Sequence, residues 1–214
     1  KALGLSLVMS HLAAADQPDH PLNAAQLARF RSVASAFAGL PASLSNSAGL
    51  HLGEDFLFDL VRPGIALYGA RSTAAAPPLA TVVTAEARIV QVRDVAAATA
   101  VGYGASEHVR RASRIAILGA GYADGYHRRA GSADDRPGAS VHLHGRRAPL
   151  VGRISMDLIA VDVTDIPEVR RGDHAELFGP HIAIDEVAER AETIGYELLT
   201  GLGRRYERHY RGGA

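Results

Sequence analysis

Arginine and glycine stand two residues apart at Arg62-Pro63-Gly64, after the apolar run of Leu60 and Val61 and before Ile65 to Gly69. An arginine at a strand end followed by a glycine-led turn sets a fixed cation beside backbone N–H groups that an anion can approach closely. In α/β folds, ligands gather there, beyond the carboxyl ends of the strands. The pairing suits a phosphorylated heteroaromatic ligand. Ser45-Asn46-Ser47-Ala48-Gly49 offers small hydrogen-bonding residues for a phosphate or ring edge, and Ser10-His11 closes another apolar run. Taken alone, Arg62 is equally a surface arginine in a turn, and His11 a structural histidine. The elements around them decide.

Leu5 to Met9 reads as a buried strand that delivers Ser10-His11 to its carboxyl end. The pattern then predicts a helix capped by Asn23 with Gln26 as a capping box, Leu27, Phe30, Val33, Ala34 and Phe37 on one face, and Gly39 as the stop. Pro41 to Leu44 reads as a second strand and Asp59 to Arg62 as a third. Such βα units fit the last part of a (β/α)8 barrel. The small-residue and proline stretch Ser72 to Pro78 marks a boundary between residues 1–73 and a β-rich domain over 80–214. In that second part Thr84–Val92, Ser113–Leu118, Leu158–Val163 and His174–Phe178 alternate with period two as strands. A helix capped by Asp185 and ended by Gly195 follows, then Tyr196 to Leu202, then a solvated polar tail from Arg204.

Composition narrows the function. The 214 residues, 47% hydrophobic, can build real cores, and no apolar run approaches the roughly 18 residues of a membrane span. With 23 basic and 23 acidic residues there is no polyanion bias, so neither nucleic acid nor a membrane is an expected partner. The absence of cysteine removes disulfides and Cys-ligated metals and fits a reducing cytoplasm; no metal site is expected. The only lysine is Lys1, and a chain that opens mid-pattern without Met suggests a piece of a longer protein.

Six stretches, in order and spacing, resemble the alanine racemases: Met9-Ser10-His11 with Asp16, Ala42 to Ala48, Val61 to Gly69, Val101-Gly102-Tyr103-Gly104, Gly121 to Tyr126, and Gly152 to Asp157. The resemblance implies a pyridoxal 5'-phosphate enzyme of fold type III, a barrel followed by a β-domain, working as a homodimer on alanine and supplying D-alanine for peptidoglycan. It also implies that the cofactor-binding lysine lies upstream of Lys1, so that the chain alone is inactive. Lys1 itself would sit at the start of a mid-barrel strand, away from its catalytic end.

Racemisation removes the Cα proton from one face of a planar carbanion and returns it on the other, which needs two acid/base groups. By resemblance Tyr103 is one of them, supplied by the partner subunit, and a phenol needs nearby positive charge to serve as a base. His11 and Arg62 would relay that charge, with Arg62 facing the cofactor's ring nitrogen. Ser47, Asn46 and the N–H groups of Gly64 and Ile65 would hold the phosphate end. Arg204 stands where some family members contact phosphate through a tyrosine, with Tyr206 as its substitute. Met156, through its N–H and across the dimer interface, would meet the substrate carboxylate, with Asp157 beside it in the substrate site. Tyr122, Arg153, Arg128 and Asp16 match the lining of the substrate passage. A broader amino-acid racemase, a decarboxylase of the same fold type and a non-catalytic assembly module are the rival readings. The decarboxylase is disfavoured because it needs a cysteine in the site.

Overall fold

The computed structural model describes residues 4–212, so the reading of Lys1 lies outside the described residues. The chain divides into two units, one ending at Val82 and the other beginning at Val83.

In the first unit β1 (Val8–Met9) pairs in parallel with β2 (Ala42–Ser43), Val8 opposite Ala42, with α1 (Pro21–Ala36) between them in sequence. This is one βα unit. Strand β1 is shorter and more exposed than the sequence predicts, with Leu5 and Met9 more than half accessible, because β2 is its only ladder partner among the described residues. Helix α1 starts before Asn23: Pro21 takes the first turn, where its missing N–H costs nothing, and the His20 Nδ1 accepts from the Leu22 N–H as the cap. Asn23 is instead buried and donates to the carbonyls of Gln17 and Pro18. Leu27 and Phe30 are the buried face of the helix and pack with Leu12, Leu44 and Ala48, while Phe58 meets Phe30 edge-on at 4.9 Å.

The third predicted strand does not form as a strand. It reduces to a single parallel bridge, Asn46 to Arg62, and the Arg62 N–H donates to the Ser45 carbonyl at 2.9 Å. Proline at 63 ends the ladder there, since it has no N–H to continue it. A four-residue 3₁₀ turn, Ile65–Tyr68, follows in place of an α-helix, closed by Gly69 at φ 83°.

The second unit is built on six antiparallel strands in the order β8 (Arg146–Pro149), β7 (Ser140–Leu143), β10 (His174–Phe178), β3 (Ala85–Val95), β6 (Ser113–Leu118), β9 (Ile159–Asp162). Strand β3 (Ala85–Val95) is long enough to serve two neighbours: residues 85–88 pair with β10 (His174–Phe178) and residues 89–95 with β6 (Ser113–Leu118). A register shift between Ile89 and Gln91 divides the halves and bends the strand. A short ribbon of β4 (Ala100–Val101) and β5 (Glu107–His108) lies between β3 and β6 in sequence. Strands β7 (Ser140–Leu143) and β8 (Arg146–Pro149) form a hairpin turned by His144 and Gly145, both at positive φ, as a right-twisted two-residue turn requires. Strand β9 (Ile159–Asp162) pairs with β6, and the bridge Leu150 to Val161 ties it back to the residue after β8, so the sheet closes on itself. Ile89, Leu118, Val141, Leu150, Ile159, Val161 and Leu177 fill the inside, each no more than 2% exposed.

The strands predicted at 113–118 and 174–178 match their observed bounds, and those at 84–92 and 158–163 shift by a few residues at their ends. Helix α2 (Ile184–Arg190) starts one residue before Asp185, which therefore lies in the first turn rather than at the cap. Gly195 opens α3 (Gly195–Gly201) instead of ending α2, and Ala191 is the C-cap of α2. The tail is not simply solvated, because Arg205 forms ion pairs and Tyr206 is half-buried.

Candidate active site

In the first unit Arg62 is pinned from one side. Its Nη1 donates to Ser43 Oγ at 2.5 Å and its Nη2 to the Ser10 carbonyl at 2.6 Å, with the Leu44 carbonyl at 3.4 Å. Ser43 Oγ in turn donates to the Leu60 carbonyl at 2.6 Å, which fixes its lone pairs toward the guanidinium. Arg62 Nη2 also lies 3.5 Å from His11 Nδ1. On the other side of the ring Asn46 Nδ2 is 3.3 Å from His11 Nε2, and the Asn46 Oδ1 accepts from the Gly49 N–H, which sets the direction of its amide.

Gln26 holds the loop that carries His11. Its Nε2 donates to the His11 carbonyl and its Oε1 accepts from the Ala13 N–H, both at 2.9 Å. The sequence reading placed Gln26 in a capping box; the early start of α1 moves it past the first turn and frees it for this tertiary clamp.

Ser47 closes the turn after Arg62, where the sequence places an anion cradle at Gly64 and Ile65. The Gly64 N–H donates to Ser47 Oγ at 2.8 Å, and the Ala66 N–H points to the same oxygen at 3.4 Å. Two backbone donors thus converge on one acceptor, with Ile65 between them at the start of a turn whose first N–H groups have no intrahelical partner. This geometry fits a phosphate oxygen. Asp16 is exposed in the loop before α1.

The remaining predicted residues belong to loops of the second unit. Tyr103 sits at the tip of the β4–β5 ribbon between Gly102 (φ 80°) and Gly104 (φ 75°) and is 70% exposed. These glycines hold the backbone in a region that L side chains avoid. The Arg153 guanidinium lies over Gly104, where a Cβ would stand 2.9 Å from its Nη1. At the base of the ribbon Glu107 Oε2 accepts from the Gly152 N–H at 2.6 Å and from Ser132 Oγ, and Asp134 accepts from the His108 N–H and ring.

Tyr122 and Met156 are brought together by backbone. The Tyr122 N–H donates to the Ser155 carbonyl and the Ala123 N–H to the Met156 carbonyl, and a Cβ on Gly121 would lie 2.4 Å from both oxygens. Asp124, buried, accepts from the Gly121 N–H at 2.8 Å and from Arg205 Nε at 3.0 Å. Arg205 also reaches Asp157 at 2.7 Å. Arg204 is exposed, and its neighbour Arg205, which sequence reasoning did not single out, is the one that pairs with the buried Asp124, whose burial is invisible in sequence. Arg128 is exposed in the turn at residues 128–130.

Comparison with known proteins follows the same division. The family described as alanine racemase, N-terminal domain, matches residues 1–72, and alanine racemase, C-terminal domain, matches residues 82–210. An alanine racemase of Rhizobium meliloti is 57% identical over 97% of this chain, and a biosynthetic one of Agrobacterium fabrum 51% identical over 95%. The crystal structure of alanine racemase from Bartonella henselae with covalently bound pyridoxal phosphate superposes with a TM-score of 0.85 at 42% identity, covering 97% of this chain and 57% of that one. The chain spans a little over half the length of these relatives, 57% and 54% of the two sequences. With both of its units matched and a relative 57% identical, the chain belongs to the alanine racemase family and carries its fold, part of the N-terminal barrel and the C-terminal β-domain.

Proposed function

We propose that the complete protein carrying this chain interconverts L- and D-alanine with pyridoxal 5'-phosphate by a two-base mechanism, as a cytoplasmic homodimer that supplies D-alanine for peptidoglycan. The first unit is then the last part of a (β/α)8 barrel, residues 1–73, and the second a β-domain, residues 80–214. The observation that carries the reading is the pinned Arg62 beside His11, one turn from a backbone cradle suited to phosphate. The Bartonella henselae relative binds the same cofactor covalently.

Ser47 and the N–H groups of Gly64 and Ile65 hold the phosphate, with Asn46 at the ring edge and Arg204 or Tyr206 as a further contact. Arg62 faces the ring nitrogen. A guanidinium stays charged and only donates, so it gives no proton to that nitrogen. Pyridoxal 5'-phosphate bound here would supply an electron sink for the pair left at Cα. By giving no proton to the ring nitrogen, Arg62 would keep that sink weak and so favour return of the proton to Cα.

Tyr103, supplied by the partner subunit, takes or returns the Cα proton on one face. Arg62 supplies positive charge toward the forming phenolate, His11 is the hydrogen-bonded link between them, and the Gln26 clamp keeps His11 in position. A second base from outside this chain serves the other face. The Met156 N–H meets the substrate carboxylate with Asp157 beside it, and Tyr122, Arg153, Arg128 and Asp16 line the passage. Asp157, paired with Arg205, is held in one orientation rather than left to repel that carboxylate.

The test uses one face at a time. Tyr103→Phe in the complete enzyme lowers exchange of the Cα proton with deuterated solvent for one alanine enantiomer by about 10² to 10⁴-fold and leaves the other far less affected. Equal losses for both enantiomers remove Tyr103 from this role.

A further inference from the structure

A cluster in the second unit lies outside everything described above. His142 on β7 stands directly opposite Glu176 on β10, and His181 lies in the turn that follows β10. One ligand atom from each residue lies within 4.8 Å of the others. We propose that His142, Glu176 and His181 bind one divalent transition-metal ion of the zinc class, with the remaining coordination position open to water.

Glu176 carries the argument. Its carboxylate is buried, and its two oxygens do different things: Oε1 accepts from the His181 and Ile182 N–H groups, each at 2.8 Å, while Oε2 faces the His181 Nδ1 at 2.8 Å. Backbone donors thus anchor one oxygen and leave the other directed at the His181 imidazole, the arrangement of an oriented carboxylate ligand. Gly179 allows the turn to wrap this closely, since a Cβ there would stand 2.8 Å from the Glu176 carboxyl carbon. Two imidazoles and a carboxylate, with no thiolate, suit zinc among the divalent ions.

The two rings lie stacked, 3.9 Å apart and 8° from parallel, so their in-plane lone pairs run side by side. Zinc bonds of about 2.0 to 2.2 Å place tetrahedral ligands about 3 to 3.5 Å apart, so closing the site needs a ring tilt and a shift on the order of 1 Å. His181 has room for it, its side chain being 55% exposed. One cation stands nearby: Arg147, opposite His142 on β8, donates to the His181 carbonyl. Its charge is met by Glu186 at 2.8 Å, which limits its repulsion of an ion.

Equilibrium dialysis of the complete protein against zinc, and titration with Co²⁺ followed by visible absorption, test the site. One ion per chain is expected at micromolar metal, with His181→Gln and His142→Gln each weakening binding by at least about tenfold. Zinc raises the unfolding midpoint of the unaltered protein and not of either variant. Folding in chelator is checked by circular dichroism; His181, at an exposed turn, is the variant that keeps its fold, and it decides the question if His142→Gln does not. No binding by the unaltered protein, or undiminished binding by a folded His181→Gln, overturns the site and leaves the cluster as a stacked pair over a carboxylate.

Discussion

Two phenols of the second unit show how burial governs a single residue. The hydroxyls of Tyr126 and Tyr206 are buried without a hydrogen-bond partner among the described residues. Burial pushes the Tyr126 phenol well above its ordinary range, and burial together with the charge of Asp124 pushes Tyr206 up to about 12. A folded-state value above the unfolded one, about 10, means stability fully present below pH 10 and lost as pH rises toward 12. Alkaline titration at the phenolate absorbance band should therefore show Tyr126 and Tyr206 ionising only with unfolding. Tyr206→Phe should lose less stability between pH 8 and pH 11 than the unaltered protein; an equal loss would mean that the phenol is not the group responsible. None of this is legible in sequence, where Tyr206 sits in a run of arginines and looks solvated. The same holds for Gln26: its type and spacing fit a capping box, and only the tertiary position of the His11 loop shows what it binds. Arg62 and Gly64 stand out in sequence because a cation followed by a glycine turn is a local pattern, whereas their partners Ser43, Ser10 and Ser47 lie 17 or more residues away and only the fold brings them in.

Elements were legible where apolar residues are concentrated. Ser113–Leu118 and His174–Phe178 carry short apolar runs with a polar start, buried at most positions, and lie on the closed sheet. The hairpin of β7 and β8 was missed because His142, Arg146 and Arg147 dilute the apolar period and Pro149 argues against a strand. Pro149 is tolerated because it stands at the end of β8, where the ladder passes to Leu150. The β4–β5 ribbon, only two residues to a side, has no period to read, and its position depends on Glu107. Removing that carboxylate in Glu107→Ala leaves the Gly152 N–H with only Ser132 Oγ as acceptor and the Ser132 hydroxyl with only the Leu150 carbonyl, at a cost of about 0.5 to 1.5 kcal/mol. Faster amide exchange at Gly152 and along residues 100–109 is expected, with a lower racemisation kcat and a nearly constant KM for alanine. Unchanged exchange with a normal kcat would show that the ribbon holds its shape without Glu107.

At the scale of the molecule, a base that works in a partner's site makes activity depend on association. Tyr103 projects from its ribbon with 70% of its surface exposed, so the second unit does little to order it. On the dimer reading, specific activity should fall on dilution in step with the loss of dimer measured by sedimentation, and added cofactor alone should not restore it. A constant specific activity across the dissociation range would place the base within one subunit. Sequence could suggest this exchange only through family resemblance, since nothing in local pattern tells a tyrosine which copy of the chain it serves.

The cradle at Ser47 has a different implication, for how the protein lives without its ligand. Backbone donors aimed at an anion are costly to leave buried and unsatisfied, yet here a hydroxyl from the same unit accepts from them. The turn after Arg62 is therefore a resting structure as well as a receiving one. On the proposed function, loading would be an exchange of acceptors, Ser47 Oγ for a phosphate oxygen, rather than a folding event, which would suit the loop to repeated emptying and refilling without unfolding.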